Sequence, residues 1–149
     1  MEHDRFYVGI SRKGNFLKIG ETGKTVYSRV ADIRKKMADD FSVKLVIDFS
    51  GSACQNVALT LESAMHILLE THPNSLARNN LPGRRDYFEI SNPSTTDEEL
   101  YAMALDFIKQ ALKFCNIITI EDWLENPGLN KIPNCYINFI YQEISENTW

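Results

Sequence analysis

Arg5-Phe6-Tyr7-Val8-Gly9-Ile10 and, a few residues on, Phe16-Leu17-Lys18-Ile19-Gly20 decide how the chain is read. Both runs are dense in aromatic and branched apolar residues and predict strands. Arg12-Lys13-Gly14-Asn15 between them can turn, since Gly and Asn both tolerate positive φ, so the pair predicts a hairpin. Ten residues separate Tyr7 from Lys18, and a helix expected soon afterwards carries Arg29 in its first turn or two. A phenol, an ammonium and a guanidinium gathered at one end of a hairpin could grip a phosphodiester.

In that helix Val26, Val30, Ile33 and Met37 recur at spacings of four, three and four, one apolar stripe with Thr25 as a plausible N-cap. The opposite surface carries Arg34, Lys35 and Lys36, most simply a solvated face. Phe41, Val43, Leu45, Ile47 and Phe49 then alternate, which predicts a strand with one face buried. From Phe49 to Leu69 the only charged side chain is Glu62. This stretch predicts a helix with Val57, Leu61, Ala64 and Leu68 as its ridge. Glu62 lies beside that ridge, with His66 one turn further along. A carboxylate in so apolar a setting needs compensation, by a metal ion or a nearby Arg or Lys. The plain alternative is a helix edge from which Glu62 reaches solvent.

Residues 74–90 read as a loop and a short strand. Asn74, Asn79 and Asn80 surround Arg78, Pro82-Gly83 turns, and Arg84-Arg85 suits either a phosphate contact or a solubilising loop. Asp86-Tyr87-Phe88-Glu89-Ile90 is the strand. Ser91 to Thr96 is the one linker-like stretch and divides a module over 1–90 from an extension over 91–149 packed on the same unit. Thr95 and Thr96, followed at three residues by Glu98 and Glu99, offer two overlapping capping boxes for a helix over 96–113. Leu100, Met103, Ala104, Phe107, Ile108 and Ala111 give it a broad apolar face. Cys115 to Ile120 predicts an edge strand, and Pro127-Gly128 and Pro133 interrupt the chain beyond it. Tyr136 to Tyr141 is aromatic and fits strand or helix. It either packs back on the domain or offers a surface to a protein partner or a second copy.

The 149 residues are 44% hydrophobic, which excludes disorder and suits one domain with an elaborated tail. No apolar run reaches the roughly 18 residues a membrane span needs. Cys54, Cys115 and Cys135 are odd in number and widely spaced, and Met-Glu-His-Asp-Arg lacks a signal-peptide pattern. A reduced, cytoplasmic setting is therefore expected. Net charge is −4, against indiscriminate coating of nucleic acid, but residues 1–90 hold 13 Lys/Arg against 11 Asp/Glu and residues 91–149 hold 3 against 9. A polyanion would meet the first part of the chain.

The succession Tyr7, Lys18-Ile19-Gly20, Arg29 and helical Glu62 resembles the GIY-YIG endonuclease superfamily, within a β-β-α-β-α pattern over roughly residues 5–90. More narrowly it is similar to a phage-associated branch with Lys-Ile-Gly as second motif, a His four residues after the Glu (His66 here), and a closing aromatic strand like Tyr87-Phe88. The resemblance implies a small mixed α/β (α+β) domain, with a three-stranded antiparallel central sheet flanked by helices, here followed by a helical C-terminal extension. It also implies hydrolysis of DNA, double-stranded by expectation, by an enzyme of phage or mobile-element type. Glu62 would hold one Mg²⁺ or Mn²⁺. Tyr7 would activate or position the attacking water, Lys18 would assist it, and Arg29 would neutralise the transition state. Asn74 falls where some members place a structural or phosphate-contacting Asn.

Three features depart from that pattern. The first motif reads Arg5-Phe6-Tyr7, so only its Tyr matches. Lys18 stands where Tyr is usual, and Ile33 stands where several members carry His or Tyr. Such departures keep a second class open, a catalytically weak or inactive domain of this fold that binds DNA or a protein. A third is a regulator acting through its acidic tail.

Overall fold

The computed structural model describes residues 3–51, 54, 56–71, 77–78, 87–90, 92–114 and 136–145. The first strands form the expected hairpin, β1 (His3–Ser11) against β2 (Phe16–Thr22), in a register that sets Tyr7 opposite Gly20 and Gly9 opposite Lys18. At the turn it is Asn15, at φ 56°, that takes the left-handed position. Asp40 ties this turn down. Its carboxylate accepts from the Ser11 hydroxyl at 2.6 Å and from the amides of Arg12 and Lys13 at 3.0 and 2.9 Å.

Helix α1 (Val26–Lys36) buries Val26, Val30 and Ile33, and the Thr25 hydroxyl caps it by accepting from Ser28 N at 3.3 Å. Strand β3 (Ser42–Ser50) returns antiparallel to β1, and helix α2 (Val57–Thr71) follows. Beyond α2 come β4 (Ala77–Arg78), β5 (Tyr87–Glu89), α3 (Asp97–Phe114) and β6 (Tyr136–Tyr141). Thr96 and Glu99 form the second of the two possible capping boxes on α3, each side chain bonding the other's amide.

The fold class is the expected mixed α/β, but among the described residues the antiparallel sheet has six strands rather than three, ordered β4-β5-β2-β1-β3-β6. The three expected strands are its centre. Left alone, β2 and β3 would each present a row of unpaired backbone groups, which β5 and β6 satisfy in part. Pairing with β3 resolves Tyr136–Tyr141 as a strand, so the tail contributes to the sheet. The predicted strand at Cys115 to Ile120, along with Cys115 and Cys135, lies outside the described residues.

Helices α2 and α3 cover one face of the sheet and α1 the other. Phe6, Val8, Ile10, Leu17, Ile19, Leu45, Ile47 and Phe49 pack against Leu61, Met65, Leu100, Phe107 and Ile108. Tyr7, Phe16, Phe41, Val43 and Val46 pack against Val26, Val30 and Ile33. Each such fully buried apolar side chain contributes about 1.5–3 kcal/mol. The expectation that Phe41 through Phe49 share one face needs correction. The register slips between Val8 and Gly9, which pair with Leu45 and Val43, leaving Lys44 as an extra residue. That bulge moves Phe41 and Val43 to the α1 side, while Leu45, Ile47 and Phe49 stay under α2. Among the described residues no helix is long and apolar enough to cross a membrane.

Candidate active site

Tyr7 and Lys18 project from the hairpin to the α1 face. Because Gly20 faces Tyr7 across the ladder, the phenol can lie over bare backbone. A Cβ at Gly20 would stand 2.5 Å from Tyr7 Cζ and overlap its hydroxyl. The Lys-Ile-Gly run therefore ends in glycine for lack of space. Tyr7 is fully buried and Lys18 is 3% exposed. The Lys18 ammonium lies 5.3 Å from the centre of the Tyr7 ring and 4.9 Å from that of Tyr87, and donates to the Ile19 carbonyl at 3.3 Å. At such distances a ring face attracts an ammonium through its quadrupole.

Arg29 reaches the same phenol from α1. Burial lowers the pKa of its guanidinium, but hydrogen bonding to Tyr7 and the proximity of Tyr7, Asp32 and Tyr87 outweigh this and hold it above its ordinary value. Ile33, the departure one turn on, belongs to the buried stripe of α1.

Glu62 sits on the other side of the sheet. The buried side of α2 is Ala58, Leu61, Ala64, Met65 and Leu69; Leu61 and Ala64 are as expected, Val57 and Leu68 lie at its half-buried margin, and the face turns far enough to take in Glu62. Its exposure is 7%, so it is no solvent-reaching helix edge. Its Oε1 lies 3.5 Å from His66 Nε2, and the His66 ring packs near Phe88 at 5.9 Å.

Two further carboxyl groups, passed over by the sequence reading, stand with it. Glu21 is paired with Phe6 and so shares the α2 face. Asp4 is buried, and its Oδ2 accepts from Ala58 N at 3.0 Å, capping the helix that carries Glu62. A hydrogen bond with Asp4, burial, and the charges of Asp4 and Glu62 push the Glu21 carboxyl up to about 7, with Arg29 partly opposing them. Arg29 and Glu62 are thus linked through Glu21. The topology explains how groups from opposite faces come this close. Strand β5 pairs with β2 only from Phe16 to Lys18, so among the described residues Ile19 to Thr22 form an edge around which both faces meet. Hairpin register was the one available signal for Glu21, and nothing local marked Asp4.

The structure therefore sets the Lys18 ammonium over the Tyr7 ring, keeps Arg29 within the field of that phenol, and pairs Glu62 with His66. Asn74, Arg84 and Arg85 lie outside the described residues. Among the described residues no group of three or more His, Cys, Asp or Glu side chains is arranged to hold a metal ion.

The fold is a small antiparallel α/β domain, and the family that the chain matches is of the GIY-YIG-like, nuclease-associated class. The chain belongs to the T5orf172 domain family, whose model matches residues 5–116, a span that takes in α3. No curated protein and no solved structure matches it.

Proposed function

We propose that the chain is a divalent-metal-dependent endonuclease of GIY-YIG type that hydrolyses phosphodiester bonds of double-stranded DNA in a cytoplasmic setting. The observation that carries this reading is a buried ammonium over the Tyr7 ring, with the Arg29 guanidinium within the field of the same phenol. A phenol is protonated and a poor base at neutral pH. Adjacent cations favour its ionised form, in which it can take a proton from water or orient that water for attack. Arg29, the more exposed of the two cations, would meet the phosphate and neutralise the charge that develops on it.

Glu62 is the residue that would hold Mg²⁺ or Mn²⁺. The donor chemistry fits, because a hard cation takes carboxylate oxygen and keeps most of its waters, so one buried carboxylate suffices. Asp4 and Glu21 add carboxyl groups whose charges act together with that of Glu62, negative charge that a cation relieves. Bound there, the ion would supply Lewis-acid stabilisation of the phosphate and the leaving oxygen. Arg84 and Arg85 would add DNA backbone contacts, and the acidic extension is the surface for a protein partner or for self-association.

A second reading, a weakly active or inactive domain of this fold that binds DNA or protein, draws support from the burial of Tyr7 and Lys18, since a hydrolytic water must reach that phenol. Supercoiled plasmid with Mg²⁺ or Mn²⁺, with and without chelator, separates the two. Chelator-sensitive nicking is expected, and plasmid left intact under both metals would give the second reading precedence.

A further inference from the structure

Tyr87 stands against two of the site's cations. It is the cross-strand partner of Lys18 in the β2–β5 ladder, so both side chains leave the sheet on the same face. Its ring lies 4.9 Å from the Lys18 ammonium, and an edge contact with Phe16, at 5.0 Å and 79°, fixes the plane of that ring. Arg29 lies within its field. Half-buried, Tyr87 belongs to the last β5–β2 pair among the described residues, opposite Lys18.

We propose that Tyr87 is a positioning residue that, with Tyr7, holds the Lys18 ammonium between aromatic rings and borders the place of Arg29. Lysine has a long flexible stem, and a ring face attracts its ammonium through the quadrupole and so narrows the positions it can take. A Lys18 so held would meet the reacting phosphate pre-ordered instead of being ordered by it. The role of Tyr87 in catalysis rests on the nuclease reading, whereas its hold on Lys18 is a property of the folded chain.

The test uses the full chain with Tyr87→Leu and Tyr87→Phe. Flanked by two rings, the Lys18 ε-CH₂ protons of the wild type should resonate upfield of ordinary lysines. Tyr87→Leu should return them most of the way, Tyr87→Phe should not. In single-turnover plasmid nicking, Tyr87→Leu should slow the rate about tenfold with little change in KM for DNA, and Tyr87→Phe should recover it. An ordinary Lys18 signal in the wild type overturns the proposal whether or not the leucine variant folds. A folded Tyr87→Leu variant with a wild-type Lys18 signal or wild-type nicking overturns it as well. A wild type that never nicks removes the nuclease reading alone, and the Lys18 resonances still decide whether Tyr87 holds that side chain.

Discussion

Gly20 lies directly across the β1–β2 ladder from Tyr7, and the phenol occupies the space that any larger residue at position 20 would need. Gly20→Ala should therefore destabilise the fold by about 1–3 kcal/mol, the range for overpacking a filled interior. In a Tyr7→Ala background the added methyl has room, so the two changes should couple strongly in a double-mutant cycle read by urea denaturation. Additive effects would show that the phenol does not fill that space.

Lys18→Met keeps the apolar stem between Tyr7 and Tyr87 and deletes the charge. Replacing a buried charge with an apolar group of similar volume is often neutral or stabilising, so the melting temperature should hold or rise. Nicking should fall about 100-fold, as expected when a preorganised cation is lost from a reacting phosphate. Full activity in a folded Lys18→Met protein would leave the ammonium without a catalytic part.

Glu62→Gln conserves shape beside His66 and weakens the metal site. Mg²⁺-dependent nicking should drop by about 100-fold or more, corresponding to several kcal/mol of stabilisation, while circular dichroism stays native. Retained chelator-sensitive cutting would place the metal elsewhere.

Glu21 gives the stability a pH dependence of definite sign. Its carboxyl ionises near 4.5 in the unfolded chain and near 7 in the folded one, the hydrogen bond with Asp4 being the main cause. The folded state thus holds the extra proton between these values. Its stabilisation is complete below about 4.5, declines as pH rises, and is lost above about 7. Discounted for solvent screening, the change is about 1 kcal/mol. Glu21→Gln, a mimic of the protonated acid, should match the wild type in urea melts at pH 5 and exceed it at pH 8. Equal stability at both values would contradict the crowding of these carboxyl groups.

The phosphate contacts proposed for Arg84 and Arg85, beyond the described residues, would bear on affinity. Changing both to Gln should weaken DNA binding and reduce the slope of log K against log salt by roughly 2, one phosphate contact each. An unchanged slope would leave that loop off the DNA.

Much of the fold was legible because its determinants are local. The stripe of α1 and the Thr25 cap, the capping box before α3, and the hairpin strands all depend on neighbours within a few residues, where helix and strand periods act directly. The same hairpin places Tyr7 and Lys18 on one face with Arg29 close behind.

Tertiary pairing decided the rest. The bulge at Lys44 moved Phe41 and Val43 across the sheet, although the uninterrupted alternation of β3 gave no sign of it. The buried side of α2 is broader than its expected ridge and takes in Glu62, because the sheet beneath it, and not the helix pattern, selects the buried side. Tyr87 meets Lys18 only because β5 pairs with β2, and Asp4 and Glu21 come to Glu62 from separate strands that the sheet brings side by side. Patterns of period two or 3.6 specify which residues share a face. They carry no information on which distant edge or helix will close over it, since that is settled by the total surface and backbone hydrogen bonds the packed chain can satisfy.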